Sequence, residues 1–278
     1  MHVIYTQDEL IEALKIFPHK ALVPTMGNLH EGHLKLIEEA LKKTKYVVVS
    51  IFINPLQFNS KDDFRNYPRT LDKDLLMLKK LGVPFVFVPS KENIIDTLQT
   101  ITIHLSDVSN DLCGRFRPGH FNGVATIICK LFNLIQPELA FFGRKDFQQL
   151  FLIKELVKQL NYHVEIIPID TIRDKDGLAK SSRNNLLSDE DRKKAPQLFE
   201  IMNAMKEKVM QKKLSFKEIE ADAERLLNTS GWIVDYLAIR SAQTLKTPVH
   251  DEIEMVILGA ANLGSVRLID NIEFCIHG

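Results

Sequence analysis

The sequence predicts an α/β protein in which a parallel sheet covered by helices is followed by a smaller α+β domain. Strand-like and helix-like patterns alternate repeatedly up to Asp170, as they do in doubly wound parallel sheets. One strand-like run, Tyr46 to Ile53, is nearly continuously apolar and β-branched, which is typical of a strand buried on both faces. After Asp170 the order of the patterns changes, and this change predicts the second domain.

The elements of the first domain follow from apolar spacing and from the residues that stop each run. Strands are predicted over 21–24, 46–53, 85–88, 101–105, 139–142 and 164–169. Helices are predicted over 31–43, 71–81, 124–135 and 146–160, where apolar residues recur at helical spacing. Gly82 just past one helix and Pro137 just past another are typical stop signals.

The second domain opens with a polar, charged stretch over 171–185, which is predicted to be a loop or linker. Helices are then predicted over 189–210 and 215–228, and strands over 233–239, 254–260 and 265–269. We therefore expect a catalytic domain over 1–172 and a smaller α+β domain over 173–278.

Charge and cysteine content narrow the function classes. The 278 residues include 36 Lys and Arg and 36 Asp and Glu, so no excess positive charge favours nucleic acid or an anionic membrane. The longest charge-free run, Tyr46 to Ser60, is shorter than the ~20 apolar residues of a membrane helix. The first residues lack the features of a signal peptide, and three widely spaced cysteines fit a reducing compartment. We expect a cytoplasmic protein.

The first candidate site is Met26-Gly27-Asn28-Leu29-His30-Glu31-Gly32-His33, which follows a predicted strand and opens a predicted helix. Gly27 allows a tight turn, and Gly32 keeps the first helical turn thin enough for a flat base or a phosphate. A helix N-terminus favours phosphate, and His30 and His33 share one helical face. Two imidazoles there could donate hydrogen bonds to a leaving pyrophosphate. The alternative is a capped helix start with two solvated histidines, but the order of strand, turn and helix favours nucleotide binding.

The second candidate site is Lys180-Ser181-Ser182-Arg183-Asn184, in the polar stretch after the last strand of the sheet. Two hydroxyls between two cations form a compact phosphate cradle, and a short basic loop can close on a triphosphate. Taken alone, this segment is a common surface loop. Paired with the first site, it is the two-part pattern of adenylating nucleotidyltransferases.

At this point the chain resembles the pantothenate synthetase (pantoate–β-alanine ligase) family. The matching stretches are VPTMGNLHEGH (23–33), SIFINPLQF (50–58), YPRTLDKDL (67–75), RPGHFNGVATIICKLFNLIQPELAFFGRKDFQQL (117–150) and DGLAKSSRNNLLS (176–188). Weaker matches in the C-terminal part are VDYLAIR (234–240) and SVRLIDN (265–271). The stretch 91–100 lacks the Tyr-Pro usual in this family, so the order of that loop is left open.

The resemblance implies a Rossmann-type nucleotidylyltransferase domain, a homodimer, and ATP with Mg²⁺. It also implies two steps: pantoate attacks the α-phosphate of ATP to give pantoyl adenylate and pyrophosphate, and β-alanine then displaces AMP to give pantothenate. No covalent enzyme intermediate is required, so positioning and charge stabilisation should carry catalysis.

The resemblance also assigns roles to residues. It implies that His30, His33, Lys145 and Arg183 are catalytic, with His33 as proton donor. The residues it assigns to ATP are Met26, Gly27, Asn28, Leu29, His30, Glu31, Gly32, His33, Gly143, Arg144, Lys145, Asp146, Ile172, Lys180, Ser181, Ser182 and Arg183. The residues it assigns to pantoate or β-alanine are Asn54, Gln57, Arg117, His120 and Gln149. The metal ligands stay unknown.

Simpler structural explanations stand beside several of these assignments. Gln149 could be plain surface, Asn54 part of a turn, and His120 a helix-start residue packing on Phe121. Asp72 and Asp74 occupy the first turn of a helix, where acidic residues favour the dipole, and neither is taken as a Mg²⁺ ligand.

Two other functions stay open at this stage. One is another small-molecule nucleotidyltransferase, which would not need both Gln57 and Gln149 facing a hydroxy acid, nor the RPGHF segment (117–121). The other is a non-catalytic ATP-binding regulatory module, for which tight ATP binding without AMP formation would be the evidence.

Overall fold

The computed structural model describes residues 1–95, 101–249 and 252–276. It divides the chain into two compact units that do not follow a single cut in the sequence. The first unit contains Met1–Asn110, Arg117–Arg144 and Gln149–Asp170, and the second contains Asp111–Phe116, Lys145–Gln148 and Thr171–Gly278. The assignment of separate functional domains to 1–172 and 173–278 stays a prediction.

The first unit is built on a six-stranded parallel sheet. Its strands are β1 (His2–Ile4), β2 (Ala21–Thr25), β3 (Val47–Ile51), β4 (Phe85–Phe87), β5 (Leu139–Gly143) and β6 (Glu165–Ile169). Their order across the sheet is β1-β4-β3-β2-β5-β6, and every described pairing is parallel. All five residues of β3 are buried, as the apolar run predicts for a central strand. The predicted α/β class is confirmed.

Helices cover both faces of this sheet. They are α1 (Gln7–Leu14), α2 (Glu31–Lys43), α3 (Lys61–Asn66), α4 (Leu71–Lys80), α5 (Lys91–Ile94), α7 (His120–Ile135) and α8 (Phe147–Gln159). The last of these is continuous with a 3-10 turn, Arg144–Asp146. Two separate apolar clusters contain Val48 and Phe132 in one case and Val49 and Ile37 in the other. Two clusters are the expected result when successive side chains of the buried strands point to opposite faces.

The order of the strands creates a switch point. From β2 the chain adds β3 and β4 on one side, and later adds β5 and β6 on the other side. The loops that leave β2 and β5 therefore diverge at the carboxyl edge of the sheet. Ligands of open parallel sheets bind in the crevice at such a position.

The second unit contains a three-stranded antiparallel sheet, β7 (Trp232–Ser241), β8 (Glu254–Leu263) and β9 (Val266–Cys275), in that order. Its helices are α6 (Cys113–Phe116), α9 (Asp189–Lys194), α10 (Gln197–Gln211) and α11 (Phe216–Thr229). The predicted helix over 189–210 is two helices, because Pro196 has no N–H to continue the first one. The predicted smaller α+β part is confirmed.

The predicted strand over 101–105 is wrong, because this segment has no regular structure. Two of its main-chain N–H groups donate to side chains of α7. Ile103 N–H donates to Thr126 Oγ1 at 3.1 Å, and Leu105 N–H donates to Asn122 Oδ1 at 3.0 Å. The elements β1, α1, α3 and α5 of the first unit were not predicted. Within the stretch 91–100, residues 96–100 lie outside the described residues.

Two further observations concern the cysteines and the length of the helices. Cys113, Cys129 and Cys275 are free thiols in the described chain. Among the described helices, none is both long enough and apolar enough to span a bilayer.

Candidate active site

The loop from Met26 to His30 connects β2 to α2 at the switch point. Gly27 and Asn28 both have positive φ angles, of 78° and 50°. Glycine and asparagine adopt this left-handed conformation at less cost than other residues. Gly27 N–H donates to Thr25 Oγ1, whose hydroxyl donates to the carbonyl of Ser50 on β3. The turn is thereby fixed to two central strands of the sheet.

The buried carboxylate of Asp74 on α4 accepts hydrogen bonds from the main chain of the same loop. Its carboxylate accepts the main-chain N–H groups of Asn28 and Leu29, each at 2.9 Å, and the Thr70 hydroxyl at 3.2 Å. Asp74 is 1% exposed, whereas Asp72 in the same helical turn is exposed. The favourable helix dipole explains an exposed acidic residue such as Asp72, but it does not explain why the carboxylate of Asp74 is buried. Sequence reasoning therefore missed that Asp74 binds the loop. The tight turn after β2, which needs partners for its N–H groups, was the available signal.

The two histidines of the motif adopt one defined arrangement. His30 is the N-cap of α2, where its Nδ1 accepts the N–H of Gly32 at 3.1 Å. His33 Nδ1 accepts the N–H of His30 at 3.3 Å, and the ring centroids are 4.0 Å apart. Because a ring nitrogen that accepts a hydrogen bond carries no proton, the proton of each neutral ring is on Nε2. Both rings therefore carry a donor on the side away from the helix backbone.

Gly32 also provides space inside the start of the helix. A Cβ atom at this position would lie 2.9 Å from Cε1 of His30. The thin helical turn thus makes room for the His30 ring itself.

A second group of polar residues surrounds the turn Pro55–Gln57, which follows β3. Asn54 is 1% exposed, and its side chain caps the turn through Leu56 N–H and donates to Gly123 O and Gln57 Oε1. Its amide is fully used inside the protein. The structure therefore places Asn54 behind Gln57, as a support for it.

Gln57 is the centre of this group. Its Nε2 lies 2.8 Å from Met26 Sδ, which links it to the loop after β2. The main-chain carbonyl oxygen of Gln57 accepts His120 Nδ1–H at 2.7 Å and Arg117 Nη2–H at 3.3 Å. Arg117 Nη1 also lies 3.2 Å from His120 Nε2. Arg117 and His120, predicted at the acyl end, thus meet Gln57 directly.

Helix α7 approaches this turn through Gly123. A Cβ at Gly123 would lie 2.2 Å from the carbonyl oxygen of Leu56, so only glycine allows the contact. The helix begins at His120, four residues before its predicted start, and Gly119 with φ of 77° precedes it. This early start is what brings His120 to Gln57.

A cavity of about 310 Å³ adjoins the loop, lined by residues that follow β2, β3 and β4. Met26, Pro55 and Val88 are among its apolar lining residues, and Arg69 and Lys91 are basic. Such a position at the carboxyl edge of a parallel sheet suits a small ligand.

The residues predicted after β5 separate between the units. Gly143, Arg144 and Gln149 belong to the first unit, where Arg144 Nε lies 3.1 Å from an Asp170 oxygen and Gln149 is half-buried on α8. Lys145 and Asp146 belong to the second unit, in which the carbonyl of Lys145 accepts the side-chain amide of Asn271 at 2.8 Å.

The predicted phosphate loop lies wholly in the second unit. Ser181 Oγ accepts the N–H of Arg183 and caps a short 3-10 helix, Ser182–Leu186. Lys180 forms an ion pair of 2.5 Å with Asp174, and its N–H donates to the carbonyl of Ile172 at 2.8 Å. The charge of Lys180 is therefore already balanced within its own loop.

An all-parallel sheet with a histidine-bearing loop and helix start at its switch point defines an α/β nucleotide-binding protein of the nucleotidyltransferase class. The sequence model of the family described as pantoate-beta-alanine ligase matches residues 2–273. The chain belongs to this family.

Individual relatives agree with the family match. A pantothenate synthetase of Neisseria meningitidis serogroup C is 47% identical over 274 residues, which are 98% of this chain and 99% of the relative. Pantothenate synthetase from Thermus thermophilus superimposes with a TM-score of 0.91 at 39% identity, covering 98% of this chain and 99% of that structure. The Francisella tularensis pantoate-beta-alanine ligase, solved with beta-gamma ATP and beta-alanine, gives a TM-score of 0.78 at 32% identity, with 98% and 97% coverage.

Proposed function

We propose that this chain condenses pantoate with β-alanine in an ATP-dependent reaction that forms pantothenate through pantoyl adenylate. Family membership supports the substrates and the reaction class. The observation that carries the assignment of chemistry is the pair of histidines at the start of α2. Both rings have Nδ1 bonded to the main chain, so both present Nε2 as a donor.

In the first step, an oxygen of the pantoate carboxylate attacks the α-phosphorus of ATP, and the bond to the pyrophosphate oxygen breaks. His30 and His33 donate hydrogen bonds to phosphate oxygens as negative charge builds on the leaving group. His33 is the proton donor, and Lys145 and Arg183 supply positive charge to the polyphosphate. Preorganised donors need no rearrangement at the moment of reaction, which is the physical basis of their effect.

In the second step, the amine of β-alanine attacks the acyl carbon of pantoyl adenylate, the bond to AMP breaks, and the amine loses a proton. Gln57 and Gln149 bind the hydroxyls and carboxylate of pantoate without adding charge that competes with ATP. Arg117 and His120 lie at the end of the site that takes the acyl group and β-alanine, and both side chains donate to the main-chain carbonyl of Gln57. Asn54 acts from behind, by fixing Gln57.

The remaining contacts assigned to ATP come from three segments. The loop and helix start contribute Met26, Gly27, Asn28, Leu29, Glu31 and Gly32. The segment after β5 contributes Gly143, Arg144 and Asp146, of which Asp146 is suited to ribose hydroxyls. The loop of the second unit contributes Ile172, Lys180, Ser181 and Ser182, and we propose that 173–278 acts as a lid on the catalytic domain 1–172.

Mg²⁺ is proposed to enter with ATP. The described residues contain no group of three or more His, Cys, Asp or Glu side chains that could hold a metal ion. This fits an ion carried mainly by phosphate oxygens and water, as is usual for Mg²⁺ at nucleotide sites.

We further propose a cytoplasmic homodimer that takes only small-molecule substrates. Three free thiols support the compartment, a net charge of zero supports small-molecule substrates, and the homodimer rests on the family resemblance alone. Light scattering on the purified protein tests the dimer, and a monomer would contradict it.

The function is tested by measuring AMP and pyrophosphate release from MgATP in four mixtures. One contains pantoate and β-alanine, two contain a single substrate, and one contains neither. Sustained AMP release is expected only with both substrates, and ATP–pyrophosphate exchange with pantoate alone. ATP binding without release in any mixture would contradict the proposal and would leave a non-catalytic module or a nucleotidyltransferase for another acid.

A further inference from the structure

Two adjacent buried residues of β9, Asp270 and Asn271, reach segments that the proposed function assigns to ATP. Each is 5% exposed, so neither is placed to contact a substrate. The strand pairs with β8 in an unbroken register through both residues. Because successive side chains of a strand point to opposite faces, adjacent residues can serve two different segments.

Asp270 fixes the start of the phosphate loop. Its carboxylate binds Arg173 in a bidentate pair, with Nη1 at 2.6 Å from Oδ2 and Nη2 at 2.8 Å from Oδ1. The Arg173 guanidinium also donates to the carbonyls of Gly177 and Asn271, and it stacks 3.7 Å from the ring centroid of Phe199. Asp270 binds the edge of the Arg173 guanidinium and Phe199 packs against its face, so the orientation of this planar group is fixed.

The loop transmits this orientation to the residues assigned to ATP. Arg173 pairs with Ala179 in an antiparallel bridge, in which Lys180 N–H donates to Ile172 O at 2.8 Å and Asp174 N–H donates to Leu178 O at 2.8 Å. Ile172 and Lys180 flank this bridge, and Ser181 follows directly. Fixing Arg173 therefore fixes both ends of the loop.

Asn271 acts on the other segment. Its Nδ2 donates to the carbonyl of Lys145 at 2.8 Å, and its own N–H donates to Asp270 Oδ1 at 2.8 Å. The main chain of Lys145 is thus bonded to the same strand that holds Arg173.

We propose that Asp270 and Asn271 are positioning residues for the ATP site, which set the geometry of the Lys145 segment and of the loop 172–183 from one rigid strand. The inference rests on the proposed function, because that function gives these segments their role. By this proposal, the C-terminal sheet contributes to catalysis by positioning two ATP-binding segments, without itself contacting the substrate.

The test uses two isosteric variants, Asp270→Asn and Asn271→Asp. The first removes the charge that binds Arg173, and the second replaces the donor facing Lys145 O with an acceptor. Leu268→Ala is the matched control, because Leu268 lies on the same strand, is 4% exposed and packs in the apolar core of this unit. It weakens the apolar core of the unit without removing a side-chain hydrogen bond to either segment.

The first measurement is hydrogen exchange, which needs no substrate. Asp270→Asn should accelerate exchange across 172–183 by about tenfold or more, since a charged hydrogen bond is lost locally. Asn271→Asp should do the same across 144–148. The control should accelerate exchange in neither segment beyond what its lower melting temperature accounts for. Unchanged exchange in both variants would overturn the proposal.

The second measurement is steady-state kinetics at a temperature where all variants are folded. Both variants should raise the KM for ATP and lower kcat, by up to about 100-fold, because small displacements of positioning groups are costly. The KM for pantoate should stay near that of the unmodified protein, and the control should keep all three values. Variants that differ from the unmodified protein only in melting temperature would reduce both residues to a structural role. An unmodified protein inactive in every substrate mixture would instead contradict the proposed function, and the exchange data would still decide whether β9 holds the segments.

Discussion

The carboxylate of Asp74 accepts the main-chain N–H of Leu29 at 2.9 Å, so a buried acid on α4 fixes the loop that carries the histidine motif. The second carboxylate oxygen accepts Asn28 N–H at the same distance. Left-handed turns expose N–H groups that need acceptors, and a single carboxylate here serves two of them. The position of His30 depends on this loop.

Asp74→Asn should destabilise the fold by about 2–3 kcal/mol, because hydrogen bonds to a charged acceptor are lost and an amide N–H₂ faces an N–H group. Adenylate formation should fall by about 100-fold as the loop shifts. Thermal unfolding and pantoate-dependent ATP–pyrophosphate exchange measure the two effects. Asp72→Asn, in the same helical turn but exposed, is the control and should change neither. Equal effects in both variants would show that the helix dipole explains Asp74.

His33→Ala should lower the rate of AMP formation by about 100- to 1000-fold, since a donor to developing phosphate charge is removed. The fold should stay intact, because the hydrogen bond that His33 Nδ1 accepts from His30 N–H lies at the partly exposed start of α2, where water can replace it. Single-turnover kinetics and circular dichroism provide the measurements. Unchanged turnover would remove His33 from the mechanism.

Gln149→Ala should mainly raise the KM for pantoate and leave the KM for ATP near its original value. The variant removes a side-chain amide that is proposed to hydrogen-bond the hydroxyls and carboxylate of pantoate. The half-buried position of Gln149 after β5 supports this expectation. Steady-state kinetics with each substrate varied in turn make the measurement. If only the KM for ATP changed, the assignment of the acyl pocket would be wrong.

Gly123→Ala should destabilise the protein by about 3 kcal/mol, because the new methyl group would collide with the carbonyl of Leu56. The displaced turn would carry Gln57 with it, so pantoate use should fall too. Gly82→Ala is the control: its Cβ would meet no atom within 4 Å, and its positive φ should cost only about 1–2 kcal/mol. Chemical denaturation compares the two, and equal losses would contradict the close approach of α7.

Glu220→Gln should stabilise the protein at neutral pH. Burial raises the pKa of Glu220, although its carboxylate accepts Ile239 N–H at 2.7 Å. A raised pKa means that the folded state favours the protonated acid. The stability it contributes is present below the ordinary carboxyl pKa and is lost as the pH rises through the folded value. The glutamine variant should therefore be more stable than the unmodified protein at pH values above the pKa of Glu220 in the folded state. The difference in stability should disappear in acid.

Glu218→Gln on the same helix should have the opposite sign. Its pKa is lowered by the Ser215 hydroxyl and main-chain N–H, with which it forms a capping box. Its stabilisation is present above the ordinary pKa and is lost as the pH falls, so the variant should melt earlier at neutral pH. Melting curves from pH 4 to 8 test both variants, and a shift of the same sign for the two would contradict the burial argument.

Periodicity and residue type predicted the strands β2 to β6 and the helices α2, α4, α7 and α8, because each of these elements leaves a local signal. The bounds of α2, predicted over 31–43, match the observed helix. The strand predicted over 101–105 failed because apolar alternation cannot reveal that Thr126 and Asn122, far along the chain, satisfy its N–H groups. Pro196 did carry a local signal for the break between α9 and α10.

By itself, the sequence determined the α/β class, the loop after β2 and the residue types that match one enzyme family, since these depend on order along the chain. Only the tertiary structure decided that Asp74 is a buried acceptor, that Asn54 supports Gln57, and that Gly32 accommodates His30. It likewise decided that Asp270 and Asn271 hold Arg173 and Lys145. Each of these contacts joins groups by distance and hydrogen-bond direction, which are properties of the packed chain that residue order does not specify.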